Sequence, residues 1–255
     1  MYGIFHTMQK KSFMLNADID GVQPGDALIL KSILLPDREE GWIDTFFVEQ
    51  PNKFTYSKEL SHTTLFLLRH IPKEGQPIVS PNRGAFFVVG QHNILNIKGS
   101  IYYMGALQKD GGFYSDSLVM CLSLMENAYS AELTDIYRHI DEGRKTQQQD
   151  SIKKYVNLYN STTASDEMKE LRKTIMEEAN DSEYAVYLYL NSLHDITHQQ
   201  LEERFQKYTP AVRNSYMGQR LGSMLKILQN IAVGNYPADF TVTNKQSKQI
   251  KLSDY

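Results

Sequence analysis

The segment "HDITH" sets His194 and His198 four residues apart, a spacing that on one helix would offer two imidazoles to a single metal ion. Two features argue against that chemistry. Thr197 and Gln200 have the spacing of a capping box, so a helix begins between the histidines rather than carrying both. Asp195 also stands where a metalloprotease helix needs a glutamate after its first histidine. Asp18 and Asp20 in "ADIDG" have the start of a calcium loop, but the later acidic ligands and the closing glutamate are missing. A strand ending in an Asp-Gly turn accounts for them. Cys121 is the one cysteine, which excludes an internal disulfide framework and a Cys-rich zinc site. It lies in "SLVMCLSLMENAY", an apolar helical pattern that predicts a small core residue without the cationic neighbours of a reactive thiol. No P-loop, dinucleotide fingerprint or nucleophile elbow is present, and Glu39 and Glu40 form no acid/base pair. No catalytic residue, metal or cofactor is predicted for this chain.

Aromatic residues give the one candidate site for a ligand. Tyr102, Tyr103, Phe113 and Tyr114 flank a glycine-containing loop between two halves of the chain that differ in periodicity. A cleft between domains is a common place for a small ligand. Packing of the inter-domain seam is the plainer use of the same four rings, whereas Tyr184 and Tyr187, at helical spacing, are core residues.

The elements around that loop follow from hydrophobic period. Phe13, Leu15, Ala17 and Ile19 alternate with polar residues and stop at Asp20-Gly21. "ALILKSILL", "WIDTFFV", "KFTYS", "TLFLLRH", "GAFFVV" and "NILNIKG" continue the series, separated by glycine, proline and asparagine. Seven short runs of this kind predict an antiparallel β-sandwich or barrel-like module over 12–105, after an extension at 1–11. From 116 to 232 the period becomes helical. Leu118, Leu122, Met125, Tyr129, Leu133, Ile136 and Ile140 mark one face of a long helix. Ile152 to Tyr159 open a second helix, which Met168, Leu171 and Ile175 either continue or follow as a third. "DSEYAVYLYLNSL" is apolar nearly all round and should be the most buried helix. Thr209-Pro210 opens a last helix through Met217, Leu221, Met224 and Leu228, which Gly234 could end. A short hairpin closes the sequence, with Phe240 and Val242 on one arm and Ile250 and Leu252 on the other. The fold class is therefore α+β.

Bulk composition excludes several roles. With 255 residues, 41% hydrophobic and 22% charged, the chain can bury a substantial core. A net charge of −3 and scattered lysines and arginines give no footprint for nucleic acid. No run approaches the length of a membrane span, and "MYGIFHTMQKKSF" lacks the charged and apolar regions of an export signal.

The tail "VGNYPADFTVTNKQSKQIKLSDY" resembles the opening segment of thioredoxin-like thiol–disulfide oxidoreductases related to the alkyl hydroperoxide reductase and thiol-specific antioxidant family. Gly234, Phe240, Val242, Ile250, Leu252, Ser253 and Asp254 match that pattern, and Tyr255 takes its aromatic position. Pro237-Ala238 transposes the usual Ala-Pro, and Ser247 stands where a turn glycine is usual. The preceding β-rich and helical regions are similar in order to the amino-terminal module of unknown function found in some bacterial envelope proteins of this kind. The resemblance implies the non-catalytic accessory region of a cell-envelope or periplasmic oxidoreductase. Residues 234–255 would then be the linker and first hairpin of a redox domain whose Cys-x-x-Cys lies outside this chain. Its implied partners are a protein redox partner or a second copy. The alternative is a standalone envelope protein that binds a glycan or peptide.

Overall fold

A computed structural model describes residues 12–34, 39–75, 84–192, 197–230, 241–243 and 249–251. It divides into two compact units, Met1–Ala179 and Asn180–Tyr255. All seven strand-like runs are strands: β1 (Ser12–Asp20), β2 (Ala27–Leu34), β3 (Glu39–Phe47), β4 (Lys53–Glu59), β5 (Thr64–Ile71), β6 (Gly84–Val89) and β7 (Ile94–Ser100). An eighth, β8 (Gln108–Asp110), is too short to leave a periodic signal.

The strands form two four-stranded sheets, ordered β4-β1-β7-β8 and β3-β2-β5-β6. Every pairing is antiparallel except β1 with β7, which the antiparallel expectation did not include. These two strands are far apart in sequence, so no hairpin turn dictates their relative direction. Alternation decides which side chains face inward. Phe13, Leu15, Ala17 and Ile19 of β1 are buried, as are Leu28, Leu30 and Ser32 of β2. The sheets meet through aromatic rings: Phe13 stacks on Phe66 at 5.4 Å, and Phe66 also meets Phe87 at 5.8 Å and Trp42 at 5.2 Å.

Turns set the register. Gly21 sits at φ 92°, and a Cβ there would lie 2.6 Å from Ile101 Cγ2, so only glycine fits. Its N–H donates to the Asn52 side chain at 3.0 Å, linking the turns after β1 and before β4. Asp26, 1% exposed, performs the same task elsewhere. Its carboxylate accepts from the Gln23 and Lys73 amides at 2.9 Å each and bonds His70 Nε2 at 2.8 Å.

Two short 3-10 helices, Ile101–Ala106 and Gly112–Ser115, flank β8 and lead into α1 (Ser117–Lys145). Asp116 caps α1 by accepting from the Leu118 and Val119 amides. At 29 residues, α1 is about 43 Å long. Its buried stripe is rotated from the expected one. Leu122, Ile136 and Ile140 are buried as predicted, but so are Val119, Ser123, Asn127 and Thr134, while Leu118 is exposed. Cys121 is exposed too, contrary to its expected core position. The cause is Lys109 on β8, whose Nζ approaches Asn127 Oδ1 at 3.1 Å and Ser123 Oγ at 3.5 Å, drawing a polar stripe inward. Burial holds the Lys109 ammonium below its usual pKa, against the opposing pull of Glu126.

A tight turn with Gln147 at φ 57° returns the chain as α2 (Gln149–Ser161), which lies along α1 with Tyr155 stacked 4.5 Å from His139. α3 (Asp166–Glu178) is a separate helix, capped by Ser165 and tied to α1 by Arg172 and Glu126 at 2.6 Å.

In the second unit, α4 (Glu183–Asn191) buries Tyr184, Ala185, Val186, Leu188, Tyr189 and Leu190, as its apolar composition requires. The capping box of Thr197 and Gln200 opens α5 (His198–Lys207) with both of its hydrogen bonds formed. Arg204, 4% exposed, donates to Asn180 and lies 4.3 Å from the Tyr208 ring. Burial pushes the Tyr208 phenol up to about 12.

The helix expected from Pro210 onward is two: α6 (Pro210–Asn214) and α7 (Tyr216–Asn230). Ser215, extended at φ −67° and ψ 165°, interrupts it. Its hydroxyl donates to Val212 O at 2.8 Å and accepts from Gly218 N at 3.2 Å, closing one helix and opening the next. A Cβ on Gly218 would fall 2.0 Å from Val212 O, so the joint requires glycine. Gly234 lies outside the described residues. The closing hairpin is formed by β9 (Thr241–Thr243) and β10 (Gln249–Lys251), antiparallel, with Val242 opposite Ile250.

Phe66→Ala should lower the stability of the first unit by about 3–5 kcal/mol, because the ring fills the centre of the sandwich. The urea midpoint followed by fluorescence of Trp42, the chain's one tryptophan, measures this.

Candidate binding site

β3 and β4 are edge strands of opposite sheets, and no backbone ladder joins them. Period-two alternation turns Trp42, Asp44 and Phe46 of β3 towards Phe54, Tyr56 and Lys58 of β4, so this edge of the sandwich is closed by side chains alone. Phe46 stacks on Tyr56 at 5.2 Å and tilts against Phe54 at 5.5 Å. The Tyr56 hydroxyl donates to Asp44 Oδ2, and Lys58 Nζ lies 2.7 Å from the same oxygen. Lys58 Nζ also sits 3.7 Å over the Trp42 ring. Hydrogen bonds from Lys58 and Tyr56 hold the Asp44 carboxyl below the usual carboxylate range, while burial and Asp44 push the Tyr56 phenol up.

A cleft opens at each end of this lock. The larger, about 570 Å³, is walled by Phe46, Phe47, Phe54 and Tyr56, with Asn16, Glu49, Gln50 and Lys53 among its polar contributors. The second, about 490 Å³, lies beside Trp42, Lys58, Glu59 and His62. Aromatic walls with a few polar groups suit a bound ligand. In the second cleft His62 Nδ1 contacts Thr63 O at 3.1 Å and Thr64 Oγ1 at 3.3 Å.

The four aromatic residues expected at the seam have separate environments. Tyr114 is 4% exposed, and its oxygen accepts from Val88 N, on the edge strand β6, at 3.1 Å. Tyr103 donates to Asp135 at 2.8 Å and accepts from Arg138 at 3.2 Å. Asp135 raises the Tyr103 pKa, with a small contribution from burial. Tyr102 is exposed and Phe113 half-buried. All four lie within the first unit, which contains β1–β8 together with α1–α3.

His198 begins α5, with its Nε2 3.8 Å from Glu202, and His194 falls outside the described residues. Among the described residues no group of three potential ligands could hold a metal ion, and no helix is long and apolar enough to cross a membrane. Gly234, Pro237, Phe240, Leu252 and Asp254 of the tail also fall outside the described residues; Val242 and Ile250 are seen paired. No family model, curated protein or solved structure matches this chain.

The β3–β4 lock was not singled out from the sequence, although "WIDTFF" and "KFTYSK" carry its signal. Each places aromatic residues and one charge on the same face of a strand. Which two strands would become neighbouring edges depends on sheet order, and strand-by-strand alternation does not specify it.

Acid stability should report the carboxylates. Asp26 is opposed by burial, but the Gln23 amide, His70 and the Lys73 amide outweigh it and lower its pKa. Asp44 is also lowered. Both contribute stability above the unfolded value of about 3.9, and the contribution is lost as pH falls through their lower folded values. Asp26→Asn should reduce the urea midpoint at neutral pH and flatten its decline below about pH 4. An unchanged acid limb would remove Asp26 from that role.

Proposed function

We propose that this chain is the non-catalytic accessory region of a cell-envelope thiol–disulfide oxidoreductase, recognising a partner while a separate Cys-x-x-Cys domain carries out exchange. The observation that supports it most directly is the closing hairpin. Val242 and Ile250 pair across it, within the segment whose residues resemble the opening of a thioredoxin-like domain. Thiol chemistry points the same way. Exchange needs an attacking thiolate and normally a resolving thiol. Cys121, exposed on α1, is the one cysteine and has no second thiol in the chain. The isolated chain should therefore fail to reduce insulin with dithiothreitol as the reductant at any rate above background, and Cys121→Ser should change nothing. The intact mass of the protein from its native host tests the larger reading. A mass well above 29.3 kDa with a Cys-x-x-Cys peptide following Tyr255 would support it; a mass of 29.3 kDa would sink it.

The aromatic cleft beside Phe47 favours a second reading, a standalone envelope protein that binds a glycan or peptide. Phe47 is 69% exposed at the cleft mouth, and Gln50 and Asn16 add amides beside it. On this reading, Phe54→Ala should weaken saturable binding of an oligosaccharide or an extended peptide by at least about tenfold in calorimetry, as loss of a buried aromatic anchor does.

A further inference from the structure

The amides of the larger cleft do not stop at its wall. Asn16, which lines it, belongs to a cross-strand row on the outer face of the β4-β1-β7-β8 sheet: Thr55, Asn16, Asn96 and Asp110. Asn16 Nδ2 donates to Asn96 Oδ1 at 3.0 Å, and Asn96 Nδ2 lies 3.5 Å from Asp110 Oδ2. These contacts fix the amide planes before any ligand arrives, which lowers the ordering cost of binding. Each amide keeps further donor and acceptor capacity on a solvated face. With neighbouring strands about 4.8 Å apart, the row runs about 14 Å from Thr55 to Asp110, roughly the length of three linked pyranose units. Met14 and Ile94, both exposed, border it on one side, and Asp18 and Lys98 on the other.

We infer, resting on the standalone-binding reading of this cleft, that cleft and row form one track for an uncharged oligosaccharide rather than a peptide. Sugar hydroxyls both donate and accept, and a side-chain amide answers both roles at once. The Phe47 and Phe54 rings of the cleft offer negative π faces to the C–H groups of a pyranose. Charge does not select the ligand. Glu49 stands with Lys53 in the cleft, and Lys98 with Asp18 and Asp110 along the row, so no patch of one sign calls for an ionic group. An extended peptide is the poorer fit. It would bind as a strand added to the edge of β4. The Lys58–Asp44 pair, turned inward at that edge, opposes such addition.

Calorimetry on the full chain tests this, with cellohexaose, xylohexaose, mannohexaose and maltohexaose as probes. At least one should bind saturably, and at least about tenfold more tightly than its disaccharide, which is too short to bond both the cleft and the far end of the row. Asn96→Ala, at an exposed position outside the cleft, should weaken the hexasaccharide about threefold to tenfold. It should leave the disaccharide and the circular dichroism spectrum unchanged, whereas a merely structural loss would weaken both sugars. Failure of all the hexasaccharides overturns the proposal, as does an affinity that Asn96→Ala leaves intact. Binding only of an extended decapeptide of alternating threonine and lysine, abolished by Phe54→Ala, overturns it while keeping the cleft as a binding site. Failure of both sugars and peptide removes the standalone-binding reading as well.

Discussion

The stack of Phe13 on Phe66 is the contact that makes two sheets into one sandwich. β1 and β5 lie in different sheets, and these inward rings hold the sheets face to face. Phe66 then extends the contact to Phe87 on its own sheet and to Trp42 on the edge strand β3. From there the chain of contacts passes to Lys58 on β4, through the ammonium over the indole. The sandwich core and the lock between its edge strands are therefore one connected set of side chains. A change in the spacing of the sheets would be transmitted directly to the clefts beside that lock.

Closing an edge with side chains has a different physical character from closing it with a ladder. A backbone ladder is insensitive to side-chain chemistry, whereas the β3–β4 edge depends on one carboxylate shared by a phenol and an ammonium. Charges turned inward at a sheet edge also discourage pairing with another strand. The same residues thus keep the edge from extending and leave a cleft at either end.

Much of the architecture was legible from period alone. β1 to β7, the burial of α4 and the capping box at Thr197 follow from local rules, because alternation, all-round apolarity and cap spacing are written within a few residues. Failures came where a distant partner decided the outcome. The inward face of α1 is set by Lys109 on β8, so Cys121 points outward although its own segment reads as apolar. Ser215 breaks α6 from α7 through two hydrogen bonds of one hydroxyl, which a helical hydrophobic pattern running through 217, 221, 224 and 228 conceals. The aromatic cleft was hidden for the same reason: its walls come from strands that become neighbours only after the sheets form.

Tyr114 shows how much can rest on a single oxygen. β6 is an edge strand, and the phenol takes the place of a missing neighbour by accepting the Val88 N–H. Tyrosine and phenylalanine, interchangeable in shape, are not equivalent here. Removing the hydroxyl would leave the ring in its packing over a buried Val88 N–H stripped of the acceptor it has here. The cost of that exchange would fall on the folding of the molecule itself, on the order of 1–3 kcal/mol for a buried donor left without its acceptor.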